Sequence, residues 1–138
     1  SALPSLLIAA SATIMIVLGA LHLWYTFVGN KLHPRDSQLR ERLEREPLVI
    51  TRQTTLWKAW IGFNASHSYG ALLFGAIYGY LALRHEAFLF QSGFLLSLGF
   101  LALAAYAFLG QRYWFSVPFR GILLATALYI IALVIAAA

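Results

Sequence analysis

Long apolar runs alternate with short polar breaks along this chain. Residues 3–28 are almost wholly apolar, residues 30–55 are the one strongly polar stretch, and apolar runs return over 56–83, 87–109 and 119–138. About 20 residues in a helix, at 1.5 Å each, cross the hydrocarbon core of a bilayer. The pattern therefore predicts four membrane spans. The first run far exceeds the apolar core of a signal peptide, about 7–15 residues, and lacks a basic leader, so it reads as a retained helix. Arg84-His85-Glu86 makes a very short connection, which predicts antiparallel neighbours for spans two and three. Gly110 to Pro118 reads as a second short, aromatic-rich loop. The expected fold class is all-α: a four-transmembrane-helix bundle, up-down-up-down, forming one integral membrane domain over 1–138.

Within the polar stretch, His33-Pro34-Arg35-Asp36-Ser37 reads as a turn and helix cap. Gln38 to Glu46 then predicts a short amphipathic helix between spans one and two. Glu41 and Arg45 stand at i,i+4 spacing for an ion pair, and Leu39 and Leu43 make a narrow apolar edge. Pro47 ends this helix or opens the next.

Composition agrees with lipid as the solvent. The chain is 61% hydrophobic and 11% charged, whereas soluble domains carry about 25% charged residues. With no cysteine, disulfides, iron–sulfur clusters and thiolate metal sites are excluded. The net charge of +5 does not point to nucleic acid, because of where the charges lie. Lys31, Arg35, Arg40, Arg42, Arg45, Arg52, Lys58, Arg112 and Arg120 fall on one side of the expected topology, and only Arg84 on the other. The positive-inside rule then puts the 30–55 segment in the cytoplasm and both termini outside, which is periplasmic for a bacterial inner membrane. Trp24, Tyr25, Trp57, Trp60, Tyr113 and Trp114 gather near the cytoplasmic boundary, as an aromatic belt does.

Small and polar residues share helix faces. Ser11, Met15, Gly19, His22, Tyr25, Thr26 and Gly29 form one stripe on span one. Trp57, Trp60, Asn64, His67, Ser68, Ala71, Gly75 and Tyr78 form another on span two, with Gly62, Ser66 and Gly70 on a second side. Such faces let helices approach closely in lipid, and most of these residues are explained by packing. Surplus small-residue faces also suggest a homodimer or a larger membrane complex.

Asn64, His67 and His22 read in two ways: as hydrogen bonds that join helices, or, because polar side chains at membrane depth are costly, as functional candidates. His22 is expected roughly 10 Å deep, and Asn64 and His67 about 12–17 Å deep, counted from the cytoplasmic side. The expected site is a cavity lined by His22, Tyr25, Trp60, Asn64, His67 and Ser68, with Arg112 and Tyr113 at its mouth. Its composition suits a small hydrophobic or amphiphilic ligand such as a lipid, quinone or isoprenoid. A second reading is a bis-His b-type haem in an electron-transfer protein, with His22 and His67 as metal ligands. A third is a structural or accessory subunit. No catalytic residues are assigned, and the chain leans away from being an enzyme. Ser66-His67-Ser68 is not a nucleophile motif, since adjacent helical residues point about 100° apart. Two histidines without an intramembrane carboxylate do not complete a zinc site, and His33 and His85 read as solvated.

Gly19-Ala20-Leu21-His22-Leu23, Trp60-Ile61-Gly62-Phe63-Asn64-Ala65-Ser66-His67-Ser68-Tyr69-Gly70 and Arg112-Tyr113-Trp114-Phe115 before Pro118 carry a family resemblance over nearly the whole chain. The pattern resembles small uncharacterised four-helix bacterial membrane proteins. That resemblance implies the same topology and an inner-membrane location, and carries no activity.

Overall fold

The computed structural model describes residues 2–138. These are all-helical, with no strand among them. The helices are α1 (Leu3–Phe27), α2 (Ser37–Arg45), α3 (Leu56–Arg84), α4 (Glu86–Gln91), α5 (Gly93–Tyr113) and α6 (Ser116–Ala137). Three of them, α1, α5 and α6, are long and apolar enough to cross a membrane. The sequence pattern gives four such runs, of which three meet that measure of length and apolarity. The longest helix, α3, falls short on apolarity because its first half carries Lys58, Asn64, Ser66, His67 and Ser68.

The expected single span over 87–109 is two helices broken at Ser92. Ser92 takes an extended backbone, its N–H donates to the Leu89 carbonyl (3.1 Å), and its hydroxyl accepts from the Leu95 N–H (3.1 Å). A serine that can close one helix and cap the next competes with a continuous helical ladder, and Gly93 adds little resistance. The loop expected over 110–118 shrinks in turn. Helix α5 runs on to Tyr113, and α6 starts at Ser116 with Pro118 in its first turn, where proline is tolerated.

The chain forms two compact units. One comprises residues up to Leu18 together with Ala71–Ala138. Its core holds Ile8, Met15, Phe74, Tyr78, Leu103, Ile122 and Tyr129, with Ala71, Ala125 and Ala132 as the small partners. Ser11 is fully buried and donates to the Ala125 carbonyl (2.7 Å), a polar tie between α1 and α6. Gly75 is the close approach to α1, since a Cβ there would lie 2.6 Å from the Ala12 carbonyl oxygen. Gly99 is another, because a Cβ would meet the Tyr78 ring at 2.7 Å and the Tyr129 hydroxyl. The bare backbone lets Tyr78 donate to the Leu95 carbonyl and Tyr129 to that of Leu96 (2.8 Å).

The second unit is Gly19–Gly70. Here α1 ends at Phe27 and Gly29 reverses the chain at φ 78°, a conformation that favours glycine. Helix α2 starts one residue before the expected position. Asp36 is its N-cap, and the carboxylate accepts from the Gln38 N–H (2.9 Å). Its ion pair joins Arg40 to Glu44 (3.1 Å), not Glu41 to Arg45, and the Arg40 guanidinium lies over the Trp57 ring at 5.0 Å. Trp57 holds Arg40 on the inner side of α2, while Glu41 and Arg45 are exposed. Pro47 ends α2 and bridges to Thr55, and the Leu56 N–H donates to the Glu46 carbonyl (2.9 Å). That closes the base of the 47–55 loop, whose tip, Val49-Ile50, is fully exposed.

Candidate functional site

The polar cluster of the second unit is built by two helices. His22 stands one turn before the last turn of α1, and Asn64 and His67 lie one turn apart on α3. His22 Nε2 is 2.9 Å from Asn64 Oδ1. The amide of Asn64 is oriented by its other end, because Nδ2 donates to the Trp60 carbonyl (2.9 Å). A flipped amide would set two oxygens against each other, so Oδ1 faces His22 and Nε2–H is the donor. The His22 and His67 rings meet edge to face, with centroids 5.0 Å apart and planes at 78°. All three side chains are half-buried.

The remaining expected site residues divide. Ser68 is fully buried and donates to the Asn64 carbonyl one turn back (3.0 Å), so its hydroxyl belongs to the helix rather than to a cavity wall. Thr26, not foreseen as a support, donates to the His22 carbonyl (2.7 Å). The Trp60 ring is exposed, and its Nε1–H donates to the Leu32 carbonyl (3.0 Å), which ties α3 to the turn after α1. Tyr25 is half-buried under the Lys31 ammonium, 5.3 Å from the ring centroid. Arg112 and Tyr113 are exposed in the last turn of α5, in the other unit.

His33 departs from expectation. It is half-buried and packs edge to face on Trp57, with centroids 5.0 Å apart, rather than standing in solvent. With Lys31 on Tyr25 and Arg40 on Trp57, it belongs to a basic, aromatic-backed cluster just beyond α1. The signal in the sequence was the placing of Tyr25 and Trp57 at the helix ends that flank these cations.

Comparison with known protein families, curated proteins and solved structures finds no match.

Chemically, the His22–Asn64–His67 cluster offers two imidazoles and a carboxamide as hydrogen-bonding groups. A haem between His22 and His67 needs the two imidazoles on opposite faces of a flat macrocycle, at metal–nitrogen distances of about 2 Å. Rings in edge contact leave no slot for that plane, and His22 Nε2 is engaged by Asn64. The arrangement does not fit that group. Among the described residues, no three His, Cys, Asp or Glu side chains gather to hold a metal ion.

Proposed function

We propose that this chain is a four-span inner-membrane protein that binds the polar end of a small amphiphile at His22, Asn64 and His67. Support for α3 as the fourth span comes from its outer face, where Phe63, Leu73, Ile77, Tyr80 and Leu83 are exposed. So large an apolar face calls for lipid. Helix α3 has 29 residues, about 43 Å at 1.5 Å per residue, enough to span. The charge bias then puts the 30–55 segment in the cytoplasm and the termini outside.

One observation carries the ligand reading. Two imidazoles and a carboxamide are in direct contact and half-exposed on otherwise apolar helices. Polar groups that served only to join helices would be better shielded from lipid, and partly open ones are favoured where something polar reaches them. Apolar surroundings with a few convergent polar groups suit a quinone, an isoprenoid or a lipid.

The test is mass spectrometry of the small molecules retained by the full chain in mild detergent. An amphiphile enriched over bulk lipid is expected, and it is lost in Asn64→Leu and His67→Phe variants that remain folded. No enrichment, or enrichment unchanged in both variants, overturns the reading.

The accessory-subunit reading has its own observation. Gly62 has nothing within 4 Å of where a Cβ would stand, and Ser66 one turn on is exposed. A partner helix or a second copy would find close approach there. If so, Gly62→Leu shifts the species seen in detergent sedimentation to a smaller mass. Gly75→Leu is not an equivalent test, since Gly75 packs inside the chain itself.

A further inference from the structure

Immediately beyond α1 lies an open cleft of about 470 Å³, lined by Asn30, Lys31, His33, Arg35, Ser37 and Arg40. We propose that this cleft holds the phosphate of an anionic phospholipid headgroup of the cytoplasmic leaflet. The inference rests on the membrane reading above but concerns a different site from His22, Asn64 and His67.

Three cations converge on the cleft. Asp36 caps α2, and Glu44 pairs with Arg40, so the net positive charge of the cleft rests on Lys31 and Arg35. Two of the cations are ordered from behind. Lys31 lies over Tyr25, Arg40 lies over Trp57, and His33 packs on that same indole. A cation stacked on an aromatic face keeps its charge and loses rotamer freedom before a ligand arrives. Arg40 can then present donors to a phosphate oxygen in a fixed plane.

Position selects a lipid as the source of that phosphate. The cleft begins at Asn30, three residues past the end of α1, and its aromatic backing comes from Tyr25 and Trp57 at helix ends. Tyrosine and tryptophan at span ends sit at headgroup level, which is where lipid phosphates lie. The 47–55 loop of the same segment presents Val49 and Ile50 fully exposed, flanked in sequence by Arg45 and Arg52. An apolar tip beside basic residues suits insertion at an anionic membrane surface.

The test uses the full chain reconstituted in phosphatidylcholine vesicles, with spin-labelled phosphatidylglycerol or spin-labelled phosphatidylcholine as probe. The motionally restricted fraction gives relative association. Each cation near the surface is worth about fivefold for an anionic lipid, so a preference for phosphatidylglycerol of fivefold or more is expected. The Lys31→Gln, Arg35→Gln, Arg40→Gln triple variant should reduce it to near unity. The Arg42→Gln, Arg45→Gln, Arg52→Gln triple, with the same change in net charge, should keep most of it. Equal loss in both triples means diffuse surface attraction and overturns the cleft. Displacement of the labelled lipid by millimolar inorganic phosphate means a site for free anions and overturns the assignment to lipid. If the first triple fails to fold, Arg35→Gln alone reports, and an unchanged preference there counts against the cleft. Asn64→Leu should leave the preference intact, so failure of the amphiphile reading and failure of the cleft are separable. Protein that does not float with the vesicles overturns the membrane reading itself.

Discussion

Asn64 shows how much one side chain decides in an apolar setting. Its carboxamide is engaged at both ends, by His22 and by the Trp60 carbonyl, and it holds the α1 imidazole against α3. Asn64→Leu leaves the His22 N–H without its acceptor and is expected to cost about 1–3 kcal/mol. Denaturant unfolding in detergent measures this. Ser11→Ala removes a buried bond to Ala125 and should cost less, about 0.6 kcal/mol, because unfolded helices in the membrane also find partners. Gly99→Ala adds a methyl where the Tyr78 ring and the Tyr129 hydroxyl already stand. Overpacking of this kind costs about 1–3 kcal/mol and should also weaken the two tyrosine bonds to α5. A Gly99→Ala variant as stable as the parent would mean that both tyrosines move aside freely.

At the scale of elements, the break at Ser92 and the reversal at Gly29 set where helices stop. Ser92→Ala removes the hydroxyl that accepts from the Leu95 N–H, and should loosen the first turn of α5 by about 1 kcal/mol. Hydrogen exchange at Leu95 reads that directly, with faster exchange expected there than at Leu103. Gly29→Ala places a side chain at positive φ and should cost about 1–2 kcal/mol. The apolar run over 87–109 hid the first of these features. Hydropathy does not distinguish a serine that lies along a helix from one that caps it. The choice of ion pair on α2 was hidden in the same way. Both i,i+4 pairs exist in the sequence, and Trp57, far along the chain, selects Arg40 with Glu44.

For the whole molecule, the topology under test is four spans with the 30–55 segment inside. The chain has no cysteine, so single introduced thiols report cleanly. A thiol at Val49, fully exposed in the loop, should react with an impermeant maleimide only after the cytoplasmic side is opened. A thiol at Arg84, at the end of α3, should react from outside. Labelling of both from the same side would mean that α3 does not cross.

The alternation of apolar and polar runs was sufficient to determine an all-helical chain and the short helix α2, and it gave four apolar runs, of which three are long and apolar enough as helices to cross a bilayer. These follow from local composition and periodicity, which lipid and backbone hydrogen bonding read without reference to the rest of the chain. The sequence also singled out His22, Asn64 and His67, because polar residues are conspicuous in apolar runs. Only the tertiary structure decided that Asn64 bonds His22, that the two imidazoles touch, and that Ser68 and Trp60 spend their donors on backbone carbonyls. It likewise decided that Tyr129 is fully buried beside Gly99, and that Lys31, His33 and Arg40 are backed by aromatic rings. Those contacts depend on distances between residues remote in sequence. A hydropathy pattern reports which face of a helix is polar, but it carries no term for what that face meets.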